Sequence, residues 1–263
     1  MKLGIVGFGN MGLTYAKSFL KYNLVKSEHL YLFEKNIEKI EHLGYGNPVG
    51  LDHEILNSLD ILILAIKPQD FLDLAEDLKE LLNKNSVLIS IMAGITLSKL
   101  MNCLNHQFVI RAMPNMPAQI GQGMTAFTAS DDITIGQLRK VEKLFNTTGR
   151  SVFVDDESQL DPITALSGSG PAYIFYFLKS MILAGIKMGL KESDALLLSR
   201  QTFQGALQLY NGSSKSLDEL IAMVRSKGGT TDAALKSFDE NKLSDKIIEG
   251  ILSANNRAKE LSL

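Results

Sequence analysis

Three glycines, Gly7, Gly9 and Gly12, follow directly on the apolar run Leu3 to Val6 and open an amphipathic stretch, Met11 to Lys21. A strand that turns at once into a helix needs the first glycine for the tight bend. It needs the second where backbone must approach a bulky group, and the third where the helix packs on the strand. The N–H groups at the start of such a helix have no partners of their own and favour an anion. In this context the Gly-x-Gly-x-x-Gly spacing points to a pyrophosphate rather than to a plain glycine turn.

The rest of the first half fits that opening. Short runs rich in Leu, Ile and Val recur at Leu30 to Phe33, Ile61 to Ile66, Val87 to Ile91 and Phe108 to Ala112, with helical patterns such as Phe71 to Leu82 between them. This rhythm predicts βαβ units around a doubly wound parallel sheet. Asp155, Asp156 and Glu157 then form a polar break, after which the pattern turns helical. Helices are expected over Gln159 to Ala165, Ala172 to Met188, Glu192 to Tyr210, Leu217 to Val224, Thr231 to Glu240 and Leu243 to Glu260. The expected division is therefore 1–154, an α/β dinucleotide-binding domain, and 155–263, an all-helical domain. Five of the six helices carry wide apolar faces, more than a small lone domain can hide, so the second half is expected to dimerise.

Composition narrows the partners. Hydrophobic residues make up 45% of the chain and the net charge is -2, so there is no basic excess to draw nucleic acid or an anionic membrane. The most apolar stretch, Ala172 to Leu190, is interrupted by Lys179 and Lys187 and reads as a buried helix rather than a membrane span. The single cysteine, Cys103, has no ligand-spaced neighbours, and no metal site is expected. The first twelve residues lack the apolar core of a secretory signal, which points to the cytoplasm. The histidines at 29, 42, 53 and 106 are expected at the surface.

Glu34 ends the second strand about 20 residues beyond the glycines, where a carboxylate commonly accepts hydrogen bonds from a ribose. That favours NAD. Lys35 beside it, and Lys39 one turn on, are placed to meet a 2′-phosphate and favour NADP. Ala65-Ile66-Lys67-Pro68-Gln69 closes the third expected strand at the sheet edge where open α/β folds bind ligands. Lys67 is a candidate ribose or pyrophosphate contact there, and Pro68 would hold the chain across the cleft.

Together, Gly7-Phe8-Gly9-Asn10-Met11-Gly12, Ala65 to Gln69, Ala93-Gly94, Met113 to Pro117, Ser167 to Tyr173 and Gly228-Gly229-Thr230-Thr231 resemble the pyrroline-5-carboxylate reductase family, in order and over nearly the whole chain. The resemblance implies an N-terminal Rossmann domain and a helical C-terminal domain interlocked with its twin, in a homodimer that some members build into rings. It implies NADPH or NADH as cofactor, no metal, and reduction of a cyclic imine to L-proline. Asn10, Met11 and Asn115 become cofactor contacts, with Asn115 facing the nicotinamide side. Ser169 and Ser226 become part of the substrate pocket. Gly228 and Gly229 would form a nest for the substrate carboxylate, with Thr230 at the same helix start, and the Thr231 hydroxyl would lie beside the ring nitrogen. Catalysis would then rest on orientation, because a protonated imine is already electrophilic.

Read from the residues alone, Thr230 also suits a plain N-cap, and Ser167 to Pro171 reads as a loop feeding the next helix. Two departures stand out. Where the family commonly has Ser-Pro before the paired glycines, this chain has Ser226-Lys227. Asp232 would repel a bound carboxylate unless it pointed outward, as we expect here. Asn211 to Ser216 also lacks the proline and acidic residue that many members carry. Competing readings are a reductase of another cyclic imine or of a hydroxy acid, for which Lys179 could serve, and a non-catalytic nucleotide-binding regulator.

Overall fold

The computed structural model describes residues 1–51 and 53–262, and the side chains of Lys39 and His53 lie outside the described residues. The chain forms two compact units, Met1–Ser169 with Ala254–Leu263, and Gly170–Ser253. The polar break at Asp155 to Glu157 thus precedes the start of the second unit.

The first unit holds strands β1 (Leu3–Val6), β2 (Leu30–Phe33), β3 (Asn47–Val49), β4 (Ile61–Leu64), β5 (Val87–Ser90), β6 (Val109–Met113), β7 (Gly123–Ala129) and β8 (Gly149–Phe153). Helices α1 (Asn10–Lys21), α2 (Glu38–Glu41), α3 (His53–Asn57), α4 (Phe71–Leu78), α5 (Leu97–Leu104), α6 (Ile135–Phe145) and α7 (Leu160–Ile163) connect them. The sheet order is β3-β2-β1-β4-β5-β6-β7-β8. Neighbours run parallel except β6 and β7, which pair antiparallel with Ala112 opposite Phe127.

Strand residues alternate between two cores. Leu3, Ile5, Leu32, Ile63 and Ile89 face the layer of α1 and α6, against Tyr15, Phe19, Val141 and Phe145. Val6, Phe33, Leu62, Leu64 and Leu88 face the layer of α4 and α5, against Phe71, Leu78 and Leu100. Burial on both faces is why these strands read as unbroken apolar runs.

All five expected strands are present, with ends shifted by at most two residues, and β3, β7 and β8 are additional. β3 contains Pro48, tolerated because the strand lies at one margin of the sheet. β7 is built mainly from Gly, Ala and Thr and carries no aliphatic run to announce it. β8 lies at the other margin and leaves Val152 and Phe153 exposed.

His106 corrects the surface assignment: it is 2% exposed. Its Nε2 donates to the Ser86 carbonyl at 2.8 Å, while Nδ1 is buried without a hydrogen-bond partner among the described residues. Burial pushes its pKa below the usual 6.5, Lys84 acts in the same direction, and the Ser86 bond opposes both. A buried charge sits on β6. Arg111, 4% exposed, donates to Glu157 Oε1 at 2.7 Å and to Ser262 Oγ at 3.3 Å, with Asp161 Oδ1 at 3.5 Å. Glu157 Oε1 also accepts the Leu97 N–H at the head of α5. The carboxyl-terminal residues of the chain are thereby fastened to the sheet.

The second unit contains α8 (Gly170–Lys187), α9 (Glu192–Asn211), α10 (Leu217–Val224), α11 (Thr230–Glu240) and the first part of α12 (Leu243–Ser262). Gly185 of α8 lets Ala195 of α9 pack close, and Ser216 caps α10 in a reciprocal box with Glu219. Two expectations are corrected. Thr164–Gly168 is a wide helical turn and Gly170 already opens α8, so Ser167 to Pro171 is not a free loop. The apolar helix is not buried within the single chain either, since Gly185 alone of α8 is covered and Ile174, Phe175, Tyr176 and Met181 are exposed.

Two predictions follow from the first unit. The unfolded chain protonates its histidine near pH 6.5 while folded His106 resists, so stability should fall as pH drops below about 6.5, by at most about 1.4 kcal/mol per pH unit. Urea midpoints across that range should show this slope, and His106→Gln should flatten it. Glu157→Ala leaves a buried guanidinium with only Asp161 and Ser262, and the same measurement should show a loss of about 2 to 3 kcal/mol.

Candidate functional site

The glycine turn has the geometry its spacing predicts. Gly7, at φ +91, donates its N–H to the Phe33 carbonyl at 2.9 Å, and a Cβ there would lie 2.8 Å from the Ala65 carbonyl oxygen. A Cβ on Gly12 would overlap the Gly7 carbonyl oxygen, so α1 can approach β1 only with glycine at that position. Gly9 faces open space, and as N-cap it gives α1 no side-chain cap. The first N–H groups of α1 therefore look outward without a side-chain acceptor, which is the requirement for holding a pyrophosphate.

A cleft of about 340 Å³ adjoins this turn. Gly7, Gly9, Glu34, Lys35, Ala65 and Lys67 all line it, together with Phe8, Ile66, Asp70 and Leu74. Glu34 Oε2 accepts the Phe8 N–H at 3.1 Å, which holds the carboxylate at the end of β2. Its other oxygen has no hydrogen-bond partner among the described residues, while Lys35 is exposed at the rim. Pro68 opens a short 3-10 turn, Pro68–Asp70, capped at Lys67, so its ring directs the chain past the cleft rather than lining it.

Three expected contacts lie elsewhere in this unit. Asn10 lines a separate cleft of about 480 Å³ with Lys17, Lys21, Gln119 and Thr147. Met11 packs against the core beneath α1. The Asn115 side chain accepts the Met124 N–H at 2.9 Å and donates to the Ser167 carbonyl and hydroxyl, both at 3.2 Å. Its amide is thus engaged in joining the β6–β7 turn to the segment before α8. Ser169 ends the first unit, with its N–H donated to the Thr164 carbonyl at 2.9 Å. Gly94 stands at φ +76, where a Cβ would meet the Leu261 carbonyl oxygen at 2.5 Å.

In the second unit, the turn from Ser226 leads into α11. Gly228 takes φ +74, and Gly229 is the N-cap, donating its N–H to the Ser226 carbonyl at 2.9 Å. Thr230 is the first helical residue rather than the cap, and Thr231, half-buried, is the second.

Asp232 reverses the expectation that it points outward: it is buried. Its Oδ1 accepts Arg225 Nε at 2.8 Å, and its Oδ2 accepts the Gly228 N–H at 3.1 Å and Lys236 Nζ at 2.9 Å. Lys236, then Arg225 and the Gly228 N–H, hold its carboxyl down at about 2. The Gly228 and Gly229 N–H groups are therefore both engaged, and any nest at this helix start must use Thr230 and Thr231. Asp232 was noticed in the sequence, but the acceptor it provides depends on Arg225, whose only signal was a positive charge seven residues away.

Comparison with known proteins places both units. Residues 157–261 match the family described as pyrroline-5-carboxylate reductase dimerisation, and residues 2–94 match NADP oxidoreductase, coenzyme F420-dependent. Pyrroline-5-carboxylate reductase of Aquifex aeolicus is 30% identical over 99% of this chain and 97% of its own. The Plasmodium falciparum pyrroline carboxylate reductase, solved with NADP bound, superposes with a TM-score of 0.91 at 26% identity, covering 100% of this chain and 98% of that one. The Coxiella burnetii enzyme gives 0.88 at 30% identity, with the same coverage of both chains. With relatives aligned from end to end, the chain belongs to the pyrroline-5-carboxylate reductase family.

Proposed function

We propose that this protein reduces pyrroline-5-carboxylate to L-proline with NADPH or NADH, as a cytoplasmic homodimer joined through its helical half. The observation that carries this reading is the full-length family relationship, which takes in the glycine cradle and the helical unit alike.

The first unit suits the cofactor. Open space at Gly9, uncapped N–H groups at Asn10 and Met11 and the Gly7–Gly12 contact fit a pyrophosphate at the head of α1. Glu34 is placed to accept from ribose hydroxyls, and Lys35 and Lys67 are the cations on the same cleft. When bound, the reduced nicotinamide supplies the hydride.

The second unit suits the imine. The N–H groups of Thr230 and Thr231 at the start of α11 would hold the substrate carboxylate, with the helix dipole adding to the attraction. From the second helical position the Thr231 hydroxyl would accept from the protonated ring nitrogen and fix which carbon is presented. Ser226, at the start of the turn into α11, would add a polar group to this site. No acid–base pair is required for the transfer, so the task of these groups is orientation. The exposed apolar residues of α8 suit burial against the partner's helices, which would keep that surface from water.

Thr231→Ala should lower kcat/KM for pyrroline-5-carboxylate about 10- to 100-fold, the range for a lost hydrogen bond to a charged group, while Thr231→Ser should recover most of it. The loss of reduced-cofactor absorbance measures both, and a wild-type protein that binds NADPH but turns over no imine would overturn the reading. Gly12→Ala should weaken NADPH binding by about 100-fold and lower the melting temperature, because the overlap is with backbone that cannot step aside. Fluorescence titration of NADPH and thermal melts check it.

A further inference from the structure

The proposed carboxylate site depends on a turn that has little to stiffen it. Arg225 to Gly228 are exposed, Gly228 stands in the left-handed region at φ +74, and residue 227 is a lysine, whose backbone has no ring to fix φ. One backbone bond, Gly229 N–H to the Ser226 carbonyl, closes the turn. Two adjacent glycines leave such a conformation easily, because neither resists other values of φ. A carboxylate bound at Thr230 and Thr231 would then have to order the turn itself and lose affinity in doing so.

Asp232 supplies the missing restraint. It sits in the first turn of α11 and reaches back along the chain to two places at once. The Gly228 N–H holds Oδ2 at 3.1 Å, and Arg225, the residue that ends α10, places Nε and Nη2 at 2.8 and 2.7 Å from Oδ1. The carboxylate thus joins the end of α10, the glycine turn and the start of α11. Its side chain is 7% exposed, whereas Arg225 and Lys236 stay 40% and 62% exposed.

Charge favours the same role. A carboxylate at the head of α11 would by itself compete with the substrate's for the helix N-terminus. Arg225 and Lys236 outnumber it, so the three side chains present a net positive charge where an anion is to bind.

We infer that Asp232, held by Arg225, is a positioning residue that presets the Gly228-Gly229 turn for the substrate carboxylate. This rests on the function proposed above. A plain helix-capping role makes a different prediction, a loss of stability with no selective effect on the imine.

The test compares wild type with Asp232→Ala, Asp232→Asn, Arg225→Ala and the Arg225→Ala/Asp232→Ala double variant, as full-length protein. Melting temperature, oligomeric state and steady-state constants for NADPH and pyrroline-5-carboxylate are measured for each. Asp232→Ala should raise the imine KM about tenfold, with the NADPH KM unchanged and kcat within about twofold. Asp232→Asn should raise it less, since an amide oxygen still accepts the Gly228 N–H. The double variant should be no worse than Asp232→Ala, because both changes break one unit. Should Asp232→Ala fail to fold, Asp232→Asn and Arg225→Ala carry the same comparison. An unchanged imine KM in variants that merely melt lower would overturn the inference, as would an equal rise in both KM values. A wild type without turnover would instead overturn the proposed function, and the inference with it.

Discussion

A sheet covered on both faces obliges each strand to send consecutive side chains into two separate cores, and the arrangement of this protein follows from that demand. Leu3 and Ile5 go one way and Val6 the other; Leu32 and Phe33 do the same on the next strand. With no solvent face, the central strands cannot slip by one residue without exchanging the contents of both layers. The ends of β1, β2 and β4 are thereby fixed relative to one another, and Gly7, Glu34 and Ala65 arrive together at one edge as a by-product of core packing. The cofactor cleft needs little organisation beyond this, apart from glycines that let α1 come down onto β1.

Polar groups show a different economy. Arg111 and Asp232 are both buried charges, and each is acceptable because opposite charges and donors surround it. Arg111 gathers a strand, a helix start and the carboxyl-terminal helix around a guanidinium. Asp232 gathers two helices and a turn around a carboxylate. Each cluster gives a backbone segment its place through an acceptor: Glu157, paired with Arg111, accepts the Leu97 N–H, and Asp232 accepts the Gly228 N–H. His106 differs, since its buried Nδ1 has no hydrogen-bond partner among the described residues.

What was legible in the chain depended on the range of the interaction. Gly7, Gly9 and Gly12 act on backbone within a few residues and could be read directly. So could Leu217–Val224, bounded by a capping serine before it and a glycine-rich turn after it. The five apolar strands declared themselves by composition, whereas β7, with its glycine, alanines and threonines, owes its place to pairing with β6. Arg111 meets Ser262 across 151 residues of sequence and Glu157 across 46, and no local pattern signals such a meeting. The direction of Asp232 is set by its attraction to Arg225 and Lys236, seven and four residues away, rather than by repulsion of a ligand. The partners of the Asn115 amide, Met124 and Ser167, lie 9 and 52 residues away in the sequence.

The last residues of α12 return to the first unit, where Ser262 meets Arg111 and Leu261 lies against Gly94. In topological terms the helical unit is an insertion: the chain leaves the first unit after Ser169 and re-enters it at Ala254. On the ribosome the nucleotide-binding half therefore stays unfinished until the last turns of α12 have emerged, and the inserted helices have all been synthesised before it closes. Cutting the gene after the eighth strand would likewise leave out a piece of the same unit, exposing the Arg111 guanidinium that the terminal helix helps to enclose.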